Sequence, residues 1–140
     1  MSNETLERFI EAQDGSYEQA LREIKGGRKE SHWMWYIFPQ LRGLGRSDMA
    51  YRYGIAGREE AVRYLAHPVL GVRLIEITEA LLALEGSDPV CILGQTDALK
   101  LRSSLTLFAA VSAPGSVFHA ALDRYYGGAH DRKTLQMLEK

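Results

Sequence analysis

One stretch of the chain limits its fold more than any other. Between residues 68 and 85, Leu70, Leu74, Ile77, Leu81 and Leu84 recur at three- and four-residue intervals, with Arg73 and Glu76 on another face; that spacing marks a helix with one apolar side. Arg73, Glu76 and Glu79 interrupt the run, so it reads as a core helix and not as a membrane span. His67-Pro68 sets its start, because a residue before proline avoids helical geometry while the proline itself suits a first turn. Gly86 ends it.

The same punctuation repeats along the chain. Leu6, Phe9, Ile10 and Gln13 predict a helix over 5–13, and Tyr17, Ala20, Leu21 and Ile24 a second over 17–25, capped by Ser16 and stopped by Gly26-Gly27. Residues 31–38 have strand-favouring side chains, yet no other segment offers a partner strand, so a short helix is expected there. A loop follows over 40–46. Ser47 then caps a helix over 48–53, and further helices are expected over 58–66, from Asp88-Pro89 to residue 93, and over 97–112, 117–126 and 131–138. Eight or nine helical pieces with no hairpin signal make an all-α (mainly α) array, with 68–85 expected to pack against 97–112. At 140 residues, one domain spanning 1–140 is expected, and a hydrophobic fraction of 46% supplies a core without metals or disulfides.

A formal net charge of -1 offers no general attraction to nucleic acid or to acidic membranes. The lone cysteine, Cys91, cannot form an internal disulfide; it sits among Val90, Ile92 and Leu93 and is expected to be buried. No cysteine or histidine cluster has metal-ligand spacing, and neither a metal nor another cofactor is expected. The start, Met1-Ser2-Asn3-Glu4, lacks the basic and apolar character of a secretory signal, so a cytoplasmic location is expected.

Chemistry concentrates in two places. The first is the segment from Ser31 to Ser47, which holds both tryptophans, Trp33 and Trp35, with His32, Arg42, Arg46 and a Gly43-Leu44-Gly45 loop. Two readings are open: the rings pack a core, or one or two of them form a stacking wall for a planar ligand while Arg42 or Arg46 and the backbone before Ser47 hold an anion. The second is the face of the 97–112 helix that carries Lys100, Ser103 and Ser104, where a cation and two hydroxyls adjoin. His32 and Asp131 are the candidates for proton transfer, although capping a helix suits Asp131 better. His67 is read as a structural joint, with a side chain that satisfies nearby backbone groups.

These residues carry a resemblance to a family of small proteins known as domain of unknown function 1810. The matching segments are Ser31-His32-Trp33-Met34-Trp35-Tyr36-Ile37-Phe38-Pro39-Gln40 with Gly43-Leu44-Gly45-Arg46-Ser47, then His67-Pro68-Val69-Leu70-Gly71, then the run from Asp97 to Phe108, with Phe118, Tyr126-Gly127-Gly128, Asp131 and Thr134 in the tail. Tyr36 departs from the pattern, standing where the family often has phenylalanine. The resemblance implies a mainly helical fold. Members have been labelled calpastatin-like, but calpastatins are long disordered repeat proteins, unlike this apolar-rich chain. A looser analogy runs to helical domains that act on ADP-ribose derivatives, which also combine buried tryptophans, a helix-borne lysine and late acidic and glycine residues.

Two functions are therefore weighed. One is a small-molecule site, enzymatic or not, for a nucleotide-like anion held by Trp33, Trp35, Arg42, Arg46, Ser47, Lys100, Ser103 and Ser104. The other is a non-catalytic module that binds a protein partner or joins an assembly. Burial separates them: a cleft lined by the polar groups favours the first, and their scatter over the surface favours the second.

Overall fold

A computed structural model describes residues 2–139, with side chains described from Leu6 onward. The reading of the chain start at Met1 falls outside the described residues. Ten helices follow in order: α1 (Ser2–Asp14), α2 (Tyr17–Lys25), α3 (Met34–Ile37), α4 (Asp48–Arg52), α5 (Arg58–Ala66), α6 (Leu70–Leu82), α7 (Pro89–Leu93), α8 (Gln95–Ala110), α9 (Val117–Tyr126) and α10 (Arg132–Leu138). The all-α expectation holds. The count among the described residues is ten where eight or nine pieces were expected, with the one-turn pieces α3, α4 and α7 all formed. Among the described residues, β structure is confined to one isolated parallel bridge between Leu41 and Ile55.

The caps explain most boundaries. Ser47, Asp88, Ser116 and Asp131 each accept a backbone N–H of the first turn that follows them, satisfying a donor that has no partner inside its helix. Ser16 does not: its Oγ accepts from the Tyr36 hydroxyl at 3.2 Å. α6 begins two residues later than expected, because Nδ1 of His67 accepts from the N–H groups of Val69 and Leu70, at 3.1 and 3.2 Å. Gly71 is dictated by packing: a Cβ there would lie 2.0 Å from the Leu65 carbonyl oxygen, so only glycine lets α6 start against the end of α5.

The stripe Leu70, Leu74, Ile77 and Leu81 is fully buried, but its neighbours differ from the expected ones. α6 packs on α2, α5 and α9, whereas α8 packs on α5, α7, α9 and α10. α5 and α9 therefore serve both long helices, in place of a direct α6–α8 pair. The reason lies in α8, where Leu101, Ser103, Ser104, Leu105, Thr106, Leu107, Phe108 and Ala109 are all buried. A helix covered nearly all round gives no single stripe from which to infer a partner. Leu99, by contrast, is 64% exposed. Cys91 is likewise exposed, contrary to expectation; Asp88 lies beside it, and hydrogen bonding to that carboxylate raises its thiol pKa.

Two carboxylate networks, the first of them around a buried glutamate, fix the segments around the aromatic cluster. Glu60 is 2% exposed and pairs with Arg8 at 3.0 Å; Arg8 also donates to the carbonyls of Arg52 and Gly54, which ties α1 to the chain around Tyr53. On the other side, the Glu23 carboxylate accepts from the N–H groups of Glu30 and Ser31, the Ser31 hydroxyl and the Trp33 indole, at 2.7 to 3.0 Å. Burial alone would raise its pKa, but these four donors outweigh that and hold it at about 2.

Candidate functional site

A groove forms where three parts of the chain meet. α8 contributes Thr96, Leu99, Lys100 and Ser103; the loop after α3 contributes Gln40, Leu44 and Gly45; the start of α10 contributes Asp131 and Lys133. The cleft measures about 260 Å³ and is open to solvent. Behind it lies a tight aromatic slot of about 10 Å³, lined by Met34, Trp35, Phe38, Ala50 and Tyr53. Gln40 and Lys100 line both, so they stand at the junction between the apolar slot and the polar cleft.

Local structure places each part. The Leu41–Ile55 bridge, in which Arg42 N donates to Ile55 O and Ile55 N to Gln40 O, both at 2.9 Å, pins the Gln40 backbone to the chain between α4 and α5. A Cβ at Gly45 would come within 2.7 Å of the Ala50 Cβ and 3.2 Å of the Gln40 amide nitrogen, so glycine lets the loop close over the slot. Asp131 is set by α8: Arg102 donates to the carbonyls of Ala129 and His130, both at 2.9 Å, and Thr106 Oγ1 accepts from Asp131 N at 2.8 Å. Gly127 and Gly128, at φ of +61° and +82°, turn the chain back from α9 to reach this position.

The charges divide unevenly. The Lys100 ammonium rests 5.3 Å from the centre of the Trp35 ring and 3.7 Å from Asp97 Oδ1. Asp97 Oδ2 meets Lys29 at 2.9 Å, and Lys29 in turn lies over the Trp33 ring at 5.1 Å. Among the described residues, Lys133 and Asp131 take part in no ion pair. Asp131 Oδ2 accepts from the Thr134 N–H and hydroxyl, which leaves Oδ1 without a protein partner among the described residues. The groove thus offers two ammonium groups, a carboxylate oxygen, a primary amide and the Ser103 and Thr96 hydroxyls beside an aromatic wall.

Of the residues singled out from sequence, the structure brings together Trp35, Lys100, Ser103 and Asp131. It does not bring the others. Trp33 is 1% exposed and belongs to the core. Ser104 is buried on the inner side of α8, where its hydroxyl has no partner among the described residues. Arg42 stacks on Tyr51 and donates to the Tyr51 carbonyl. Arg46 is exposed outside the groove lining, and Ser47 is occupied as the cap of α4. His32 is exposed and likewise outside the lining. Sequence reading missed Gln40, Thr96, Asp97 and Lys133. Gln40 closes the aromatic motif and Lys133 follows Asp131 by two, but nothing local reveals that loop, α8 and α10 converge.

Fold and groove together define an all-helical protein with a mixed-charge cleft set against an aromatic slot. The chain belongs to the family described as Protein of unknown function (DUF1810), whose match runs over residues 3–138. A crystal structure of a conserved hypothetical protein from Mycobacterium tuberculosis is similar, with 47% identity, 96% of each chain covered and a TM-score of 0.94. No curated protein matches the chain.

Proposed function

We propose that the groove binds a small nucleotide-like anion, with ADP-ribose derivatives among the ligands it suits. The observation that carries this reading is the junction: Lys100 lines both the aromatic slot and the polar cleft, so an anion held in the cleft meets a cation that already rests against Trp35. Trp35 holds the Lys100 ammonium 5.3 Å from its ring centre and so keeps it at the mouth of the cleft. Lys100 and Lys133 neutralise the anion, and Gln40 presents a donor and an acceptor to a polar ring edge. Lys133 takes the role first assigned to an arginine. If the site is catalytic, Asp131 is the proton-transfer group in the groove.

The test is a thermal-shift and calorimetry panel of nucleoside phosphates, ADP-ribose and sugar phosphates. A bound ligand at ~100 times its Kd stabilises the fold by about 2.7 kcal/mol, and Lys100→Ala should abolish most of that gain. A panel with no shift, or full affinity in Lys100→Ala, contradicts the reading. A protein-binding role draws on a different observation: Val62, Val69, Val72 and Ile75 are exposed along α5 and α6. Scattered apolar residues are ordinary on surfaces, and the convergent polar groove argues more strongly for the small-molecule reading.

A further inference from the structure

We infer that the unpaired oxygen of Asp131 receives the hydroxyls of a ribose, so that the groove selects ribonucleotides over their deoxy counterparts. This rests on the nucleotide reading of the same groove and adds the part of the ligand that would set its specificity. A carboxylate has two oxygens with two lone pairs each. In Asp131 the helix cap uses Oδ2, which takes the Thr134 N–H and hydroxyl. Oδ1 keeps both lone pairs, and Asp131 lines the cleft.

A cap alone does not call for a charged residue here. Asparagine caps as well as aspartate, and Ser47 and Ser116 do the same task elsewhere in this chain. The position of Asp131 is fixed independently of its side chain, by Arg102 on the Ala129 and His130 carbonyls and by Thr106 on its own N–H. The backbone of Asp131 is therefore held in place where it lines the same cleft as Lys100, Ser103 and Lys133, with one carboxylate oxygen unused among the described residues. Two lysines and one aspartate suit a ligand that is anionic at one point and rich in hydroxyl donors at another. A phosphate carries no hydroxyl donors of that kind, whereas a ribose presents adjacent 2′- and 3′-hydroxyls, and acidic side chains accept from ribose hydroxyls in other nucleotide sites.

The experiment is calorimetry with AMP and UMP, each paired with its 2′,3′-dideoxy analogue, on the wild-type chain, Asp131→Asn and Lys100→Ala. Asp131→Asn keeps the cap, which a melting temperature close to wild type verifies. A hydrogen bond to a charged acceptor corresponds to roughly tenfold or more in affinity. The wild type should therefore prefer a ribonucleotide over its dideoxy analogue by about tenfold or more. In Asp131→Asn the preference should fall to within about twofold, and Lys100→Ala should weaken both members of a pair alike. Equal binding of the pair by the wild type, or an undiminished preference in Asp131→Asn, overturns the ribose assignment and leaves the nucleotide reading standing. If neither ribonucleotide binds, or if Lys100→Ala binds both as the wild type does, the nucleotide reading fails and the ribose assignment with it.

Discussion

The two tryptophans lie two residues apart and occupy opposite conditions. Trp33 is enclosed, its indole N–H donates to Glu23 at 2.9 Å, and the Lys29 ammonium above its ring makes a close ion pair with Asp97. Trp35 is half-buried at the slot, and the Lys100 ammonium near its ring reaches the same Asp97 only at 3.7 Å. The Lys29 side chain is 9% exposed and that of Lys100 26%. One arrangement, a ring beneath a lysine that leans on Asp97, thus occurs twice: locked on the core side and loose on the groove side. Side chains fully engaged with the protein stabilise it, and those with unspent capacity are the ones a ligand can use.

The largest expected effect is on stability. Trp33→Ala should cost about 3–5 kcal/mol in urea or thermal unfolding, since it opens a core cavity and strips a donor from Glu23. Trp35→Ala should cost clearly less, because that ring is only half-buried. Equal losses would break the comparison. Glu23→Gln should follow at about 1 kcal/mol, since the carboxylate is partly open to solvent and glutamine keeps one acceptor oxygen. Its pH behaviour sharpens the point. The folded pKa of about 2 lies below the ordinary glutamate value of 4.5, so the Glu23 contribution is complete above about pH 4.5 and is lost as pH falls toward 2. Acid unfolding curves of the wild type should show that slope, and Glu23→Gln should flatten it.

On the groove side the order reverses. Lys100→Ala should change stability by no more than about 1 kcal/mol, the scale of an exposed cation–π contact and a long surface pair, while lowering nucleotide affinity about tenfold or more. Smaller still is His67→Asn: asparagine caps α6 in place of the imidazole, so neither stability beyond about 0.5 kcal/mol nor ligand affinity should change. Lost binding at an unchanged melting temperature would instead place His67 in the chemistry.

Much of the framework was readable because it is local. Helices α2, α5 and α9 span the residues their spacing and bounding glycines and proline mark, although only α9 has a side-chain cap, and the buried face of α6 follows its spacing. The resemblance to the family was likewise carried by contiguous motifs. What local signals cannot supply is which faces meet. Period and spacing put Lys100, Ser103 and Ser104 together, yet α8 is enclosed on most sides, and a rotation of 100° per residue is enough to send Ser103 to the groove and Ser104 to the interior. Trp33 and Trp35 are separated in the same way. Glu23 was invisible as a partner of Trp33 because the turn that folds residues 28–33 back onto α2 has no motif of its own. Lys133 and Gln40 reach the cleft only through the Leu41–Ile55 bridge and the Arg102 and Thr106 contacts to the chain before α10.

Ligand binding at the Trp35 side of the cluster can be watched directly. Trp33→Phe leaves Trp35 as the only tryptophan, so its emission reports on the groove alone, and calorimetry on the same variant gives the affinity. Titration with ADP-ribose and AMP should change that emission saturably, at concentrations matching the calorimetric Kd, and Lys100→Ala should weaken the response about tenfold or more. Emission that stays constant while calorimetry shows saturation, or the absence of binding by both methods, would contradict binding there.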